Sequence, residues 1–282
     1  MNQGKKPAVE LAGLSYTYEG SGIKALDGVN LKIEKGNKVA FMGDNGSGKS
    51  TLFLCLNGIH RPDSGEIYIG GEKIAYTRKG LLDVRKKVGI VFQDPDSQLF
   101  LASVYQEISF GIMNLGVEEQ TARREVERVM EELDISPFRD RPAHALSGGQ
   151  KKQVAIADIL VMHPEVMILD EPAAALDVTH TEKVHRIVED LTKRRITVLM
   201  ATHDIDYAYR WADQIVLMKN GRILKEGTPE EVCSDEALLK AAGLVRPAVL
   251  RLYEKMAEKG FIELREKPPK SIEELEALIA RG

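Results

Sequence analysis

The chain has 282 residues, 43% of them hydrophobic and 29% charged, and a formal net charge of −4. That composition suits a globular protein with a sizeable core, and its mild acidity excludes the basic field of a nucleic-acid binder or of a protein adsorbed directly on anionic lipid. Two widely spaced cysteines, Cys55 and Cys233, exclude a disulfide framework and a cysteine metal site, and no apolar run reaches the ~18 residues that a membrane span requires.

Residues 1–7 carry two lysines with no apolar stretch behind them, so they do not read as a secretory signal and a cytosolic location is expected. Residues 9–18 and 25–33 read as antiparallel strands around a glycine-rich turn at 19–22, which predicts a small β lobe. Apolar runs then recur at 38–42, 88–92, 166–170, 198–202 and 215–218, separated by helical patterns. Such alternation predicts an α/β fold with a largely parallel central sheet. Val126, Val129, Met130 and Leu133 fall at helical spacing among charges, which marks a mainly helical insert over about 94–163. After Gly227-Thr228-Pro229 the pattern changes to short charged helices broken by Pro247 and Pro268-Pro269, so 229–282 is expected to be a small helical appendage.

Gly43-Asp44-Asn45-Gly46-Ser47-Gly48-Lys49-Ser50 follows the run at 38–42 and precedes a helical stretch beginning at Thr51. This is a phosphate-binding loop in its required strand, loop, helix context. Glycine lets the backbone curl so that N–H groups and the helix N-terminus face negative oxygens. Lys49 supplies charge to the β and γ phosphates, and the Ser50 hydroxyl a ligand for Mg²⁺. The run at 166–170 delivers Asp170 and Glu171 at its end. Asp170 is placed to hold Mg²⁺, and Glu171 to orient or deprotonate an attacking water. His203 lies just past the run at 198–202, where an imidazole can touch the γ phosphate and position Glu171. Gln93, after the run at 88–92, offers an amide oxygen to Mg²⁺ or the water. His60, His144, His163, His180 and His185 read as ordinary structural or surface histidines.

Leu146-Ser147-Gly148-Gly149-Gln150, standing between Gln93 and Asp170, resembles the signature of ABC (ATP-binding cassette) ATPases. The resemblance covers about residues 8–228. It implies a P-loop NTPase fold of the ABC type, with an antiparallel β subdomain, a helical subdomain and the nucleotide-binding domain over 8–228, and it implies ATP and Mg²⁺ as cofactors. Ser147, Gly148, Gly149 and Gln150 open a helix, a second anion-binding N-terminus. By the resemblance this helix faces the γ phosphate held by a second cassette, so one chain is half of a nucleotide-sandwiching dimer. The resemblance also places Tyr18 on adenine, with Tyr16 as the alternative, and makes Asp177 a contact across the dimer.

Residues 88–100, reading Val88-Gly89-Ile90-Val91-Phe92-Gln93-Asp94-Pro95-Asp96-Ser97-Gln98-Leu99-Phe100, are similar to the corresponding segment of energy-coupling-factor and cobalt-type importer ATPases. That likeness implies a peripheral ATPase on the cytoplasmic face of a membrane, energising an importer. Cobalt or nickel is the expected cargo, and a vitamin is the alternative. A membrane subunit would dock near Asp96, Gln98 and Phe100. Pro172-Ala173-Ala174-Ala175-Leu176-Asp177-Val178 keeps Asp177 but lacks the hydroxyl and glycine common before it in the family. That departure leaves a weakly hydrolysing regulatory cassette open, and a soluble cassette acting in translation or DNA maintenance is the alternative without a membrane partner.

Overall fold

The computed structural model describes residues 6–265 and 267–280. β1 (Val9–Thr17) and β2 (Lys24–Ile33) pair antiparallel, with Val9 opposite Ile33 and Thr17 opposite Lys24. β3 (Lys38–Met42) runs through the phosphate loop into α1 (Lys49–Leu56). β4 (Ser64–Ile69), β5 (Glu72–Lys73) and α2 (Arg78–Lys87) follow. The first two strands and this later pair make a four-stranded antiparallel sheet in the order β2-β1-β4-β5.

β6 (Val88–Val91) leads into the helical insert, which holds α3 (Val104–Asn114), α4 (Glu119–Glu132) and α5 (Gly148–Leu160). The chain then alternates through β7 (Val166–Asp170), α6 (Val178–Lys193), β8 (Thr197–Ala201), α7 (Ile205–Trp211), β9 (Gln214–Lys219) and β10 (Arg222–Gly227). The central sheet has the order β10-β9-β3-β8-β7-β6, and all its pairings are parallel except that of β10 with β9.

Parallel strands covered on both faces are apolar at nearly every position, which is why they appear in the sequence as near-continuous runs. Odd and even positions then serve different layers. Ala40, Met42, Met167, Leu169, Val198 and Met200 face the helical side, in one cluster with Ile108, Met130 and Ile156. Val39, Phe41, Ile168 and Leu199 face α1 and the antiparallel sheet, against Leu52, Phe53, Leu14 and Ile33. Each such large apolar side chain contributes roughly 1.5–3 kcal/mol by leaving water.

Residues 229–280 hold α8 (Pro229–Cys233), α9 (Glu236–Ala241), α10 (Ala248–Glu258) and α11 (Ile272–Ile279). Val232, Leu239, Leu250, Tyr253 and Leu275 belong to the helical-side cluster, so this segment packs on the body of the fold. Asp206 Oδ1 accepts from Ala248 N at 2.6 Å and ties α7 to α10. Cys55 and Cys233 are free and buried, and burial pushes both thiols up to about 12. Among the described residues no helix is long and apolar enough to cross a membrane.

The parallel arrangement has one consequence for chemistry. β3, β6, β7 and β8 all end at the same edge of the sheet, so the residues that follow them converge there.

Candidate nucleotide site

A cavity of ≈ 340 Å³ lies at that edge, within the ~300–1,000 Å³ usual for small-ligand sites. Tyr18, Ala25, Asn45 through Thr51, Gln93, Asp170, Glu171 and His203 line it. Residues from five separate parts of the chain thus meet in one place.

The loop after β3 can exist only with glycine at two points. Gly43 has φ +139°, and a Cβ there would stand 2.0 Å from the Met218 carbonyl oxygen. Gly48 has φ +106°, and its Cβ would stand 2.6 Å from the Ala25 carbonyl oxygen. Asn45 to Thr51 of this loop line the cavity. Gly48 is the N-cap of α1 and offers no side-chain acceptor to the helix's first N–H groups. Those donors have no partner within the helix and are available to an anion.

Lys49 is buried and donates to Gly43 O at 2.7 Å, Asp44 O at 3.1 Å and Ser47 Oγ at 3.2 Å. Burial holds its pKa below the ordinary lysine value, and the nearby Glu171, Asp170 and Asp44 carboxylates oppose that shift. Its ammonium is thus held at the loop, within the reach of incoming negative oxygens.

Asp170 closes β7 and is 8% exposed, and Glu171 follows with φ +46°. A non-glycine residue in that left-handed region costs ~1–3 kcal/mol. The turn is held by Glu171 N donating to Ala201 O at 3.1 Å and by Ala174 N donating to Glu171 O at 3.1 Å. Burial raises the Glu171 pKa above the ordinary carboxylate value, while His203 and Lys49 pull it back. Its Oε1 is buried and makes no hydrogen bond, although His203 Nε2 lies 3.3 Å away. His203 Nε2 also lies 3.1 Å from Asn45 Oδ1, which links the sheet edge to the loop.

These groups fit a phosphate and a hard cation. Asp170, the Ser50 hydroxyl and the Gln93 amide supply oxygen atoms, and the orphaned Glu171 Oε1 is a buried acceptor for a water or a proton donor. One or two carboxylates completed by phosphate oxygens is the usual Mg²⁺ pattern.

Tyr18 is 41% exposed at the cavity rim, and its hydroxyl lies 3.0 Å from Thr51 Oγ1. Tyr16 instead stacks on His60, with ring centroids 4.8 Å apart, which leaves Tyr18 as the aromatic face presented to the cavity.

The signature residues lie elsewhere. Ser147 caps α5, and Gln150 completes a capping box with it. Gly149 packs so tightly on His180 that a Cβ would stand 2.0 Å from its ring. His180 Nδ1 in turn lies 2.8 Å from Asp177 Oδ2, and the main-chain N–H and ring of His180 hold the Asp177 carboxyl below its ordinary pKa. Ser147 to Gln150 and Asp177 thus form a second group outside the cavity, with His180 between them. A histidine three residues after an N-cap aspartate is the sequence signal that points to His180.

One expected partner contact is corrected. Gln98 is only 9% exposed, and its amide turns inward to Ala155 O and Asp158 Oδ2, each at 3.1 Å. A partner docking on this loop would meet Phe100, which is 67% exposed and packs edge-on against Phe110, and Asp96, which is paired with Lys151 at 2.6 Å.

The ABC transporter family profile matches residues 26–174. An energy-coupling factor transporter ATP-binding protein, EcfA, of Methanocaldococcus jannaschii is 44% identical over 91% of this chain and 91% of its own length. A cobalt import ATP-binding protein, CbiO, of Rhodobacter capsulatus is 46% identical over 87% and 88%. Some relatives are longer: the chain spans 57% of a putative ABC transporter ATP-binding protein of Methanosarcina mazei. Among solved structures, cbiO1 of Clostridium perfringens, described as part of the ABC transporter complex cbiONQ, superposes with a TM-score of 0.75. It is 41% identical and covers 89% of this chain and 99% of its own. The cassette MJ0796, solved as a dimer bound to ADP and Pi, has a TM-score of 0.71 at 29% identity, covering 78% of this chain and 98% of its own.

Proposed function

This chain belongs to the ABC transporter family, and from that premise we propose that it is the ATP-hydrolysing subunit of an energy-coupling-factor type importer that works as half of a cassette dimer. The observation that carries the reading is the split in its functional groups. The phosphate loop, Asp170, Glu171, Gln93 and His203 share one cavity, whereas Ser147 to Gln150 and Asp177 lie outside it. One chain therefore offers two half-sites. Closure of two chains would bring each signature helix N-terminus to the other's γ phosphate, where its N–H groups stabilise negative charge.

Within the site we assign the following roles. Lys49 and the loop N–H groups hold the β and γ phosphates, Tyr18 stacks on the base, and Ser50, Asp170 and Gln93 would hold a magnesium ion, which would screen the phosphate charge. Glu171 takes the proton of the attacking water, for which its buried, raised carboxylate is better suited than an ordinary exposed one. His203 orients Glu171. Asp177 reports on the partner across the interface.

The likeness to EcfA and to the cobalt import protein supports a peripheral position on the cytoplasmic face of a membrane, with a membrane subunit seated against Phe100 and Asp96. Cobalt or nickel is the favoured cargo, and a vitamin the second. Glu171→Gln is expected to lower phosphate release ~10²–10⁴-fold while still binding Mg-ATP. Cells carrying that variant with the membrane subunit should lose cobalt uptake. Undiminished phosphate release removes Glu171 from the base role, and cobalt uptake that survives loss of hydrolysis removes the transport assignment.

A further inference from the structure

A fully buried lysine lies outside the groups just assigned. Lys152, the fifth residue of α5, is 1% exposed, and its Nζ donates to the main-chain oxygens of Phe92 at 3.0 Å and Gln93 at 2.7 Å. Burying an ammonium costs several kcal/mol unless it is paired or hydrogen-bonded. An apolar side chain of the same length would avoid that cost but leave both oxygens without this donor, so it is the hydrogen bonding to the loop and not the packing that calls for lysine here.

The two carbonyls it holds are those of the first two residues after β6, where Gln93 lines the nucleotide cavity. The same helix grips the rest of that loop. Gln98 donates to Ala155 O and Asp158 Oδ2, both on α5, and Lys151 Nζ reaches Asp96 Oδ1 at 2.6 Å. Gln98 Oε1 accepts from Phe92 N at 3.4 Å, closing the loop on itself. Residues 92–98 are thus bound by side chains to the helix that Ser147 and Gly148 open.

We propose that Lys152 is a positioning residue that fixes the main chain of Gln93 to the signature helix, so that Gln93 and Ser147 move as one piece when that helix shifts. The inference rests on the ATPase reading above and deepens it. Gln93 then keeps its place at the cavity only as far as α5 keeps its own, because the lysine ties its main chain to that helix.

The test is a double-mutant cycle on the full chain with Lys152→Met and Gln93→Ala, following steady-state phosphate release. If Lys152 acts through Gln93, K152M lowers kcat by up to ~10²-fold, the scale of a displaced reacting group, with little change in the KM for ATP. In the Q93A background the same substitution then has no further effect. Thermal unfolding of each variant keeps a loss of fold from passing as a loss of positioning. Should K152M not fold, K152R enters the same cycle, and its effect must likewise vanish in Q93A. Effects that multiply, a K152M variant with wild-type kcat, or a Q93A variant with wild-type kcat each overturn the inference. Wild-type turnover in the same preparation separates the two ideas: if the wild type hydrolyses Mg-ATP and the effects multiply, only the role of Lys152 falls.

Discussion

Gly46 and Gly48 stand two residues apart in the phosphate loop, and both have positive φ, at +78° and +106°. Their surroundings differ. A Cβ on Gly46 would meet nothing within 4 Å, whereas one on Gly48 would stand 2.6 Å from Ala25 O and 3.2 Å from Leu26 Cδ2. Gly46→Ala therefore carries only the backbone penalty of ~1–3 kcal/mol. Gly48→Ala carries that penalty and an overpacking cost of ~1–3 kcal/mol against a main-chain oxygen that belongs to β2 and cannot swing away. The sum is ~2–6 kcal/mol, so the two variants should differ by ~1–3 kcal/mol. Urea unfolding of both, with a fluorescent ATP analogue titrated onto each, reads the difference. Alanine keeps the N–H, so weaker nucleotide binding by Gly48→Ala than by Gly46→Ala reports a displaced loop. Equal midpoints and equal affinities would refute the reasoning that close approach to β2 shapes the cradle.

Tyr18→Ala should weaken ATP binding by the ~0.5–1.5 kcal/mol of an aromatic stack, whereas Tyr16→Ala should change it less because Tyr16 spends its face on His60. Nucleotide titrations that show the reverse order would place adenine on the other ring. Burial pushes the Asp158 carboxyl up to about 7, against the hydrogen bond from Gln98 and with the charge of Glu107 adding to it. A carboxyl raised in the fold stabilises at low pH, and that stability is lost as pH rises from the unfolded value of 3.8 through about 7. Asp158→Asn keeps an acceptor for Gln98 and should match the wild type near pH 4 yet be more stable by on the order of 4 kcal/mol near pH 8. Unfolding curves at both pH values check it, and a difference that does not change with pH would place the ionisation elsewhere.

The parts of the fold easiest to see in the sequence were those buried twice. β3, β7 and β8 are apolar at nearly every position because both faces are covered, and their carboxyl ends delivered the phosphate loop, Asp170, Glu171 and His203 in recognisable order. β4 begins Ser64-Gly65-Glu66 and buries only Ile67 and Ile69, and α2 buries only Val84 among its charges, so neither carried a readable period. Loop polarity misled in another way. Gln98 looks solvated in the sequence, yet its amide is used internally, a choice settled by α5 some sixty residues later in the chain. Lys152 is invisible for the same reason, since nothing local distinguishes it from the partly exposed Lys151 beside it. The placement of Gly149 against His180 likewise depends on how α5 meets α6, which no local pattern encodes.

The most direct measurement concerns assembly. Glu171→Gln, loaded with Mg-ATP and followed by size-exclusion chromatography with light scattering, is expected to run as a dimer, alone or with a related cassette from the same cell, and to return to single chains when nucleotide is removed. A species that stays monomeric under saturating Mg-ATP with every such cassette present would contradict the proposal that the signature helix of one chain completes the site of another.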